Sequence, residues 1–413
     1  MAVTFLHIAD THMGVETYGR LDPSTGLNTR VQDFTRCLNH AFDCAIDREV
    51  DFVVFAGDAY RTCDPSVTHQ RELARCVHRL SQAGIPMVIV IGNHDTPVAF
   101  GKANSVDIFR TLGTTGVHVA NTDCVIDLKT KSGPVQVACL PWLQRSHLLA
   151  TEDGRNLTDI EATKRLQQLG ARLVDGLAAQ IDRQKPVVLA AHVAVADAVL
   201  SGSEQTAIIG RDPVFLTSTL ANPAFDYVAL GHIHRHQDMN LGASPPVVYS
   251  GSIDRIDFGE EEEAKGCCIV TIDQAALGRP KTTAYEFIPT PARPFRTVRV
   301  DATQSLDITQ SILDALARYT LKDYIIRIIY KADAGPSALD LPRIRQATCD
   351  ASLIAGIFPD TDRLRKQRRS SVTQEMGLTK ALEAYIDNTA GLEMIKSDLI
   401  TYARNLESEA ATE

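Results

Sequence analysis

The chain has 413 residues, 44% of them hydrophobic and 23% charged, a globular balance that excludes fibrous, disordered and membrane-embedded classes and allows two or three domains. With 42 basic against 51 acidic side chains the net charge is -9, so the chain as a whole offers no basic surface to nucleic acid, although bound metal ions would add positive charge where a phosphate lands. The nine cysteines are odd in number and show no C-x-x-C spacing, which argues against a disulfide framework or a zinc knuckle and for reduced, cytosolic thiols.

In chain order, the first element is the strand-like run "MAVTFLHIADTH". It carries charge where an export signal needs a basic start and a long apolar core. Then come "DFVVFAGD", "PMVIVIGNHD", "PVQVACLPW", "PVVLAAH" and "FDYVALGHIH". Each is short, rich in β-branched residues and ends at once in a polar cluster, the pattern of a buried strand. The most apolar stretch, "VVLAAHVAVADAVL", contains His192 and Asp197 and is too short to cross a bilayer. Helical patterns over residues 31–50 and 66–84 lie between strands. This alternation predicts an α/β domain of sheets flanked by helices, with its chemistry at the carboxyl ends of the strands.

The composition changes at "FIPTPARPFRTVRV", where Pro289, Pro291 and Pro294 read as a linker. Beyond it a smaller α+β pattern is expected: strand 297–300, helix 306–319, strand 324–330, helix 341–348 and strand 352–358. The basic run "DRLRKQRRSS" and two helical segments, 378–388 and 392–407, complete the chain. Domains are therefore expected over residues 1–290, 295–360 and 366–413. Leu378, Leu382, Tyr385 and Ile386, and likewise Leu392, Ile395, Leu399, Tyr402 and Leu406, recur at helical spacing. Such a stripe is either an ordinary core face or a helix laid in a partner's groove. Arg363, Arg365, Lys366, Arg368 and Arg369 belong to a solvated linker or contact nucleic-acid phosphates.

The strand ends supply a set of donors: Asp10 and His12 from "ADTH", Asp58 from "AGD", Asn93 and His94 from "GNHD", His192 from "AAH", and His232 and His234 from "GHIH". Gly231 lets the chain turn out of its strand, and residues two apart in extended chain face the same side, so His232 and His234 converge. Each motif alone is weak. Asp, His and Asn together suit manganese, iron or zinc, and no thiolate joins them. There are too many donors for one tetrahedral ion, which implies a pair bridged by a carboxylate, suited to displacement at phosphorus.

In this order the motifs resemble the calcineurin-like metallophosphoesterases (D-x-H, GD, GNH[DE], H, GHxH). The text between them, "HIADTHMG", "SGSEQ", "FDYVALGHIHRHQ" and "YSGSIDRIDFGEEEEAKG", is similar to the SbcD family of DNA repair nucleases over roughly residues 3–290. The resemblance implies a sandwich of two β-sheets flanked by helices, a small capping domain and a helical tail. It implies that Asp10, His12, Asp58 and His234 hold one metal, and that Asp58, Asn93, His192 and His232 hold the other. His94 would face the scissile phosphate as a catalytic group rather than a ligand. Asp95 would orient one of the histidines or simply cap a turn. It further implies two divalent ions, manganese foremost, DNA as substrate in double-strand break repair, a homodimer pairing helices 66–84 and 104–112, and an SbcC-type coiled-coil ATPase held by the C-terminal helices. The location would be the cytoplasm, with the nucleoid.

At Arg61 the chain departs from the family, which often has histidine or aspartate near the substrate phosphate there. Arginine can bind phosphate bidentately but cannot shuttle protons at neutral pH. Tyr18 and Arg20, in the loop after Gly14, either contact DNA or are structural. Two other readings compete: a stand-alone phosphodiesterase for a small nucleotide or phosphoester, and a metal-binding scaffold that dimerises and holds the ATPase.

Overall fold

Successive strand residues face opposite sides, and in β1 (Ala2–Ile8) both sides are apolar. Val3 and Phe5 enter one buried cluster, Leu6 and Ile8 another. A strand so placed must be covered on both faces. The computed structural model supplies both covers; it describes residues 2–97, 102–145, 148, 157–202, 212–273, 281–332 and 339–360, with 382, 386, 396, 397, 399–401 and 403 beyond them.

Two mixed sheets stack face to face. The first has the order β14 (Thr282–Pro289), β13 (Gly266–Asp273), β1, β2 (Phe52–Phe55), β3 (Met87–Val90), β4 (Val117–Ala120). β1 to β4 run parallel, and β13 and β14 are added antiparallel. The second has the order β11 (Gln237–Asp238), β12 (Val247–Tyr249), β10 (Tyr227–Gly231), β7 (Val187–His192), β6 (Gly133–Leu140), β5 (Cys124–Thr130). Its centre, β12, β10, β7 and β6, is parallel. A short parallel pair, β8 (Ala194–Val195) and β9 (Val214–Phe215), follows the end of β7.

The layers follow from the pattern. Phe5, Phe52, Val54 and Val88 of one sheet meet Val137, Val188, Tyr227 and Ala229 of the other. The outer face of the first sheet packs on α1 (Thr29–Asp47) and α2 (Val67–Gln82) through Phe34, Leu38, Phe42, Leu73 and Val77. The outer face of the second packs on α4 (Asp159–Gln180) through Leu166, Val174 and Leu177; α3 (Asp107–Thr111) and α5 (Thr217–Leu220) are short. Burying each such side chain contributes roughly 1.5–3 kcal/mol. Side-chain caps start the long helices: Ser66 accepts from His69 N on α2, and Thr158 with Glu161 forms a capping box on α4. His7 lies between the sheets against Tyr227 Oη and the Leu230 carbonyl, both at 3.2 Å, and burial pushes its imidazole down to about 3.

Pro289 does not belong to the linker. It ends β14, an edge strand, opposite Gly266, where a missing N–H is tolerated. The chain divides into two compact units, Met1–Arg296 with Asp323–Ile325, and Thr297–Lys322 with Ile326–Glu413. β15 (Phe295–Asp301), β16 (Ile325–Lys331) and β17 (Leu353–Pro359) form a three-stranded sheet that belongs to the smaller unit apart from Phe295, Arg296 and Ile325, and α6 (Ile308–Leu316) and α7 (Leu341–Ala347) accompany it. The basic run lies outside the described residues, as do Leu378, Tyr385, Leu392, Ile395, Tyr402 and Leu406 of the two C-terminal stripes; Leu382, Ile386 and Leu399 are helical, and Ile386 is buried. Among the described residues no helix is long and apolar enough to cross a membrane. The cysteines are free thiols.

Candidate metal centre

The donors converge because the carboxyl ends of the two sheets touch. β1 and β2 pair with Ile8 opposite Phe55, so the segments leaving them stay level, with Asp10 N donating to Gly57 O and His12 N to Asp58 O, each at 3.0 Å. β10 and β7 pair with Gly231 opposite His192. Here the two sheets approach so closely that a Cβ on Gly231 would lie 2.0 Å from the Ala56 carbonyl oxygen, and one on Gly57 2.2 Å from His192 Nδ1. Only glycine fits at either place. The donors themselves bend sharply: Asp10, His12, Asp58 and His232 have φ of 51°, 46°, 55° and 99°. Left-handed backbone at residues other than glycine costs of order 1–3 kcal/mol each, and such strain gathers at functional sites.

His12 Nε2 lies 3.0 Å from His234 Nε2 and 3.6 Å from Asp58 Oδ2. His192 Nε2 is 3.4 Å from Asp58 Oδ2 and 3.0 Å from Asn93 Oδ1, its Nδ1 donating to the Ala56 carbonyl at 2.8 Å. His232 Nδ1 is 3.1 Å from Asn93 Oδ1, and its backbone N–H donates to both oxygens of Asp10, at 3.0 and 3.1 Å. His94 N donates to Asp58 Oδ1 at 2.8 Å. Its ring stands edge-on to His12, centroids 4.8 Å apart, and its Nδ1 donates to the Arg61 carbonyl at 2.8 Å. That leaves Nε2 as the nitrogen that can exchange a proton. Asp10, His12, Asp58, His192, His232 and His234 are buried, while His94 is partly exposed.

Burial dominates the electrostatics. It pushes the Asp10 carboxyl up and His12, His94 and His232 down. Burial is the largest single influence on Asp58 and His192 too, but opposite charges and hydrogen bonds together outweigh it: His192, His12 and His94 hold Asp58 below the usual carboxylate range, and Asp58, Asp10 and the Ala56 carbonyl hold His192 up at about 9. Hydrogen bonding does not satisfy this set. Two imidazole nitrogens 3.0 Å apart share one proton at most, and His12 Nδ1 is buried without a hydrogen-bond partner among the described residues. A divalent cation resolves this crowding of lone pairs. Three overlapping groups have donor atoms within 4.8 Å of one another: Asp10, His12 and His234; Asp10, Asp58 and His192; and His12, Asp58 and His94. All three have the donor types of a divalent-metal centre; the first two consist of buried residues only, whereas the third includes the partly exposed His94.

The other candidates fare differently. Asp95 orients no histidine in the hydrogen bonds seen here: its carboxylate accepts from Ala59 N, Tyr60 N and Gly92 N at 3.1–3.2 Å. It clamps the "GDAY" and "GNHD" loops together, the turn-capping alternative in a stronger form. Arg61 does reach the centre, its Nη1 3.3 Å from His94 Nδ1. Tyr18 packs its ring on Phe258 and Phe295, centroids 5.2 and 5.7 Å away, and Arg20 is exposed. Three residues escaped the sequence reading. Glu260 meets His234 Nδ1 at 2.8 Å, Asp212 lies 3.3 Å from His232 Nε2, and the Trp142 ring tilts over His232 at 4.9 Å. "GEEEE" signals acid near the site without saying which glutamate turns inward.

The sequence profile of the calcineurin-like phosphoesterases matches residues 3–236. The SbcD subunit of the nuclease SbcCD from Escherichia coli (strain K12) is 27% identical over 278 residues, 66% of this chain and 66% of that protein, just under two thirds of its length. The SbcD subunit of the nuclease SbcCD from Rhodobacter capsulatus is 29% identical over 335 residues, covering 77% of this chain and 76% of the relative. The uncharacterized metallophosphoesterase YhaO of Bacillus subtilis (strain 168) is 23% identical over 358 residues, covering 83% and 74%.

Proposed function

Because the chain belongs to the calcineurin-like phosphoesterase family, we propose that it is a metal-dependent DNA nuclease that hydrolyses phosphodiester bonds, working with an SbcC-type ATPase in double-strand break repair. The observation that carries the hydrolytic reading is the convergence of Asp10, His12, Asp58, Asn93, His192, His232 and His234 where the carboxyl ends of the two sheets meet. Likeness to the SbcD subunits of two SbcCD nucleases supports DNA as substrate. Exposed Val67, Ile108 and Leu112, on or beside the helices expected to pair, support a homodimer.

In this reading Asp10, His12, Asp58 and His234 would hold one divalent ion and Asp58, Asn93, His192 and His232 the other, manganese being the preferred metal. When bound, such a pair lowers the pKa of a water and neutralises oxyanion charge. The chain's own part is positional. Asp58 accepts the His94 N–H and so fixes the loop that carries the catalytic ring. The Arg61 carbonyl holds His94 Nδ1–H, directing proton exchange to Nε2, which stabilises a phosphoryl oxygen or protonates the leaving oxygen. In this reading the Arg61 guanidinium, 3.3 Å from His94 Nδ1, would bind the phosphate.

The first test is manganese-dependent degradation of a linear duplex by the purified protein, with a chelator control and with the ATPase added in parallel. Hydrolysis of a chromogenic diester with the duplex left intact, with and without the ATPase, would show a small-substrate phosphodiesterase instead. A second expectation concerns pH. His192 and Asp10, both shifted upward in the metal-free chain, must lose protons to become ligands, whereas His12 and His232 are shifted downward and already neutral. Manganese affinity should therefore rise with pH until His192 is deprotonated near 9, with protons released on binding. Calorimetric titrations in buffers of different ionisation enthalpy measure this; an affinity flat from neutral to alkaline pH would contradict it.

A further inference from the structure

We infer that Glu260, anchored by Lys265, is the positioning residue for His234 and through it sets the affinity of one of the two metal positions. This rests on the metal reading above.

Glu260 is fully buried at the end of a short 3-10 turn, Phe258–Glu260. A carboxylate there is costly unless every oxygen is partnered. Oε1 meets His234 Nδ1 at 2.8 Å, while Oε2 accepts from Lys265 Nζ and from Ile256 N, both at 2.9 Å. Lys265 is also buried, and its ammonium donates to the His234 carbonyl at 3.0 Å. The pair thus holds His234 at ring and backbone together. A carboxylate on Nδ1 requires the proton there, which leaves the Nε2 lone pair on the side facing His12 Nε2, within the group Asp10, His12 and His234. It also raises the basicity of the ring.

The neighbouring imidazoles are held otherwise. His192 Nδ1 donates to a backbone carbonyl, and Asp212, beside His232, is partly exposed. Nor is Glu260 needed merely to neutralise Lys265, because Glu263 Oε2 lies 2.8 Å from the same ammonium. Four glutamates stand in a row from Glu260 to Glu263, and in the described contacts Glu260 is the one that reaches a metal-centre histidine.

The test is manganese titration by calorimetry of the full chain, comparing wild type with Glu260→Gln, Glu260→Asp and the control Glu263→Gln. Wild type should take up two ions. Glu260→Gln, similar in shape but uncharged, should weaken one ion by about 10–100-fold and leave the other as it was. Glu260→Asp keeps the charge but withdraws it from His234, so it should show an intermediate loss and serves as the test if the glutamine variant does not fold. Glu263→Gln should bind both ions like wild type. Equal weakening of both ions in the Glu260 variants, or none, overturns the assignment. A wild-type chain that binds no manganese overturns the metal reading itself, which is a different result from wild type and Glu260→Gln binding alike.

Discussion

Replacing His94 by alanine is expected to slow manganese-dependent phosphodiester cleavage by about 10²–10⁴-fold, the usual range for a positioned acid or base, while manganese binding stays unchanged. The two readouts separate because of how His94 is held. Its backbone N–H, which survives the substitution, supplies the bond to Asp58, so the carboxylate keeps its place. Only the ring is lost, and that ring already commits Nδ1 to the Arg61 carbonyl. Single-turnover cleavage beside calorimetric metal binding decides the matter. If affinity falls in step with cleavage, His94 is a ligand, as its proximity to His12 and Asp58 would allow, and its assigned catalytic role is wrong.

Asp58→Asn should have the larger effect on the centre as a whole. Asparagine tolerates the left-handed backbone at this position and can still accept the His94 N–H, so the loop should survive. The charge does not. Asp58 Oδ2 lies 3.4 Å from His192 Nε2 and 3.6 Å from His12 Nε2, and the substitution removes the carboxylate assigned to both ions. Loss of several kcal/mol of charge stabilisation, on the order of 10³-fold or more in cleavage rate, is expected, together with weaker uptake of both ions. A variant that binds two ions as wild type does would remove Asp58 from its bridging role. One that loses a single ion would assign it to one side only.

Much of this centre was legible from the sequence because of where the strands end. "FVVFAGD" and "YVALGHIH" are continuous apolar runs that stop in donors, and each parallel sheet delivers such ends to its own carboxyl edge. The central strands and the helices over residues 29–47 and 67–82 carry strong periodic signals. What stayed hidden depends on tertiary partners. β13 and β14 close one sheet by pairing far along the chain, and nothing local says that they join β1. Arg30, just ahead of the helical pattern expected from residue 31, is wholly buried between Asp33 and Asp254 at 2.8 and 3.2 Å, and nothing local announces either partner. Asp95 looked equally fit to orient a ring or cap a turn, and only the packing of the two loops decides that it clamps backbone. Glu260 sits among three identical neighbours, and the turn that buries it has no signature separating it from them.

The bent backbone at Asp10, His12, Asp58 and His232 sets durability against chemistry. Glycine adopts that conformation freely, so glycine at these positions would relieve local strain while discarding a donor. A library of variants ranked by heat resistance alone would therefore drift toward robust, inert proteins. Only a screen that also demands turnover would keep these four side chains, and thermal tolerance is better sought in the helices and outer layers, away from the edge where the sheets meet.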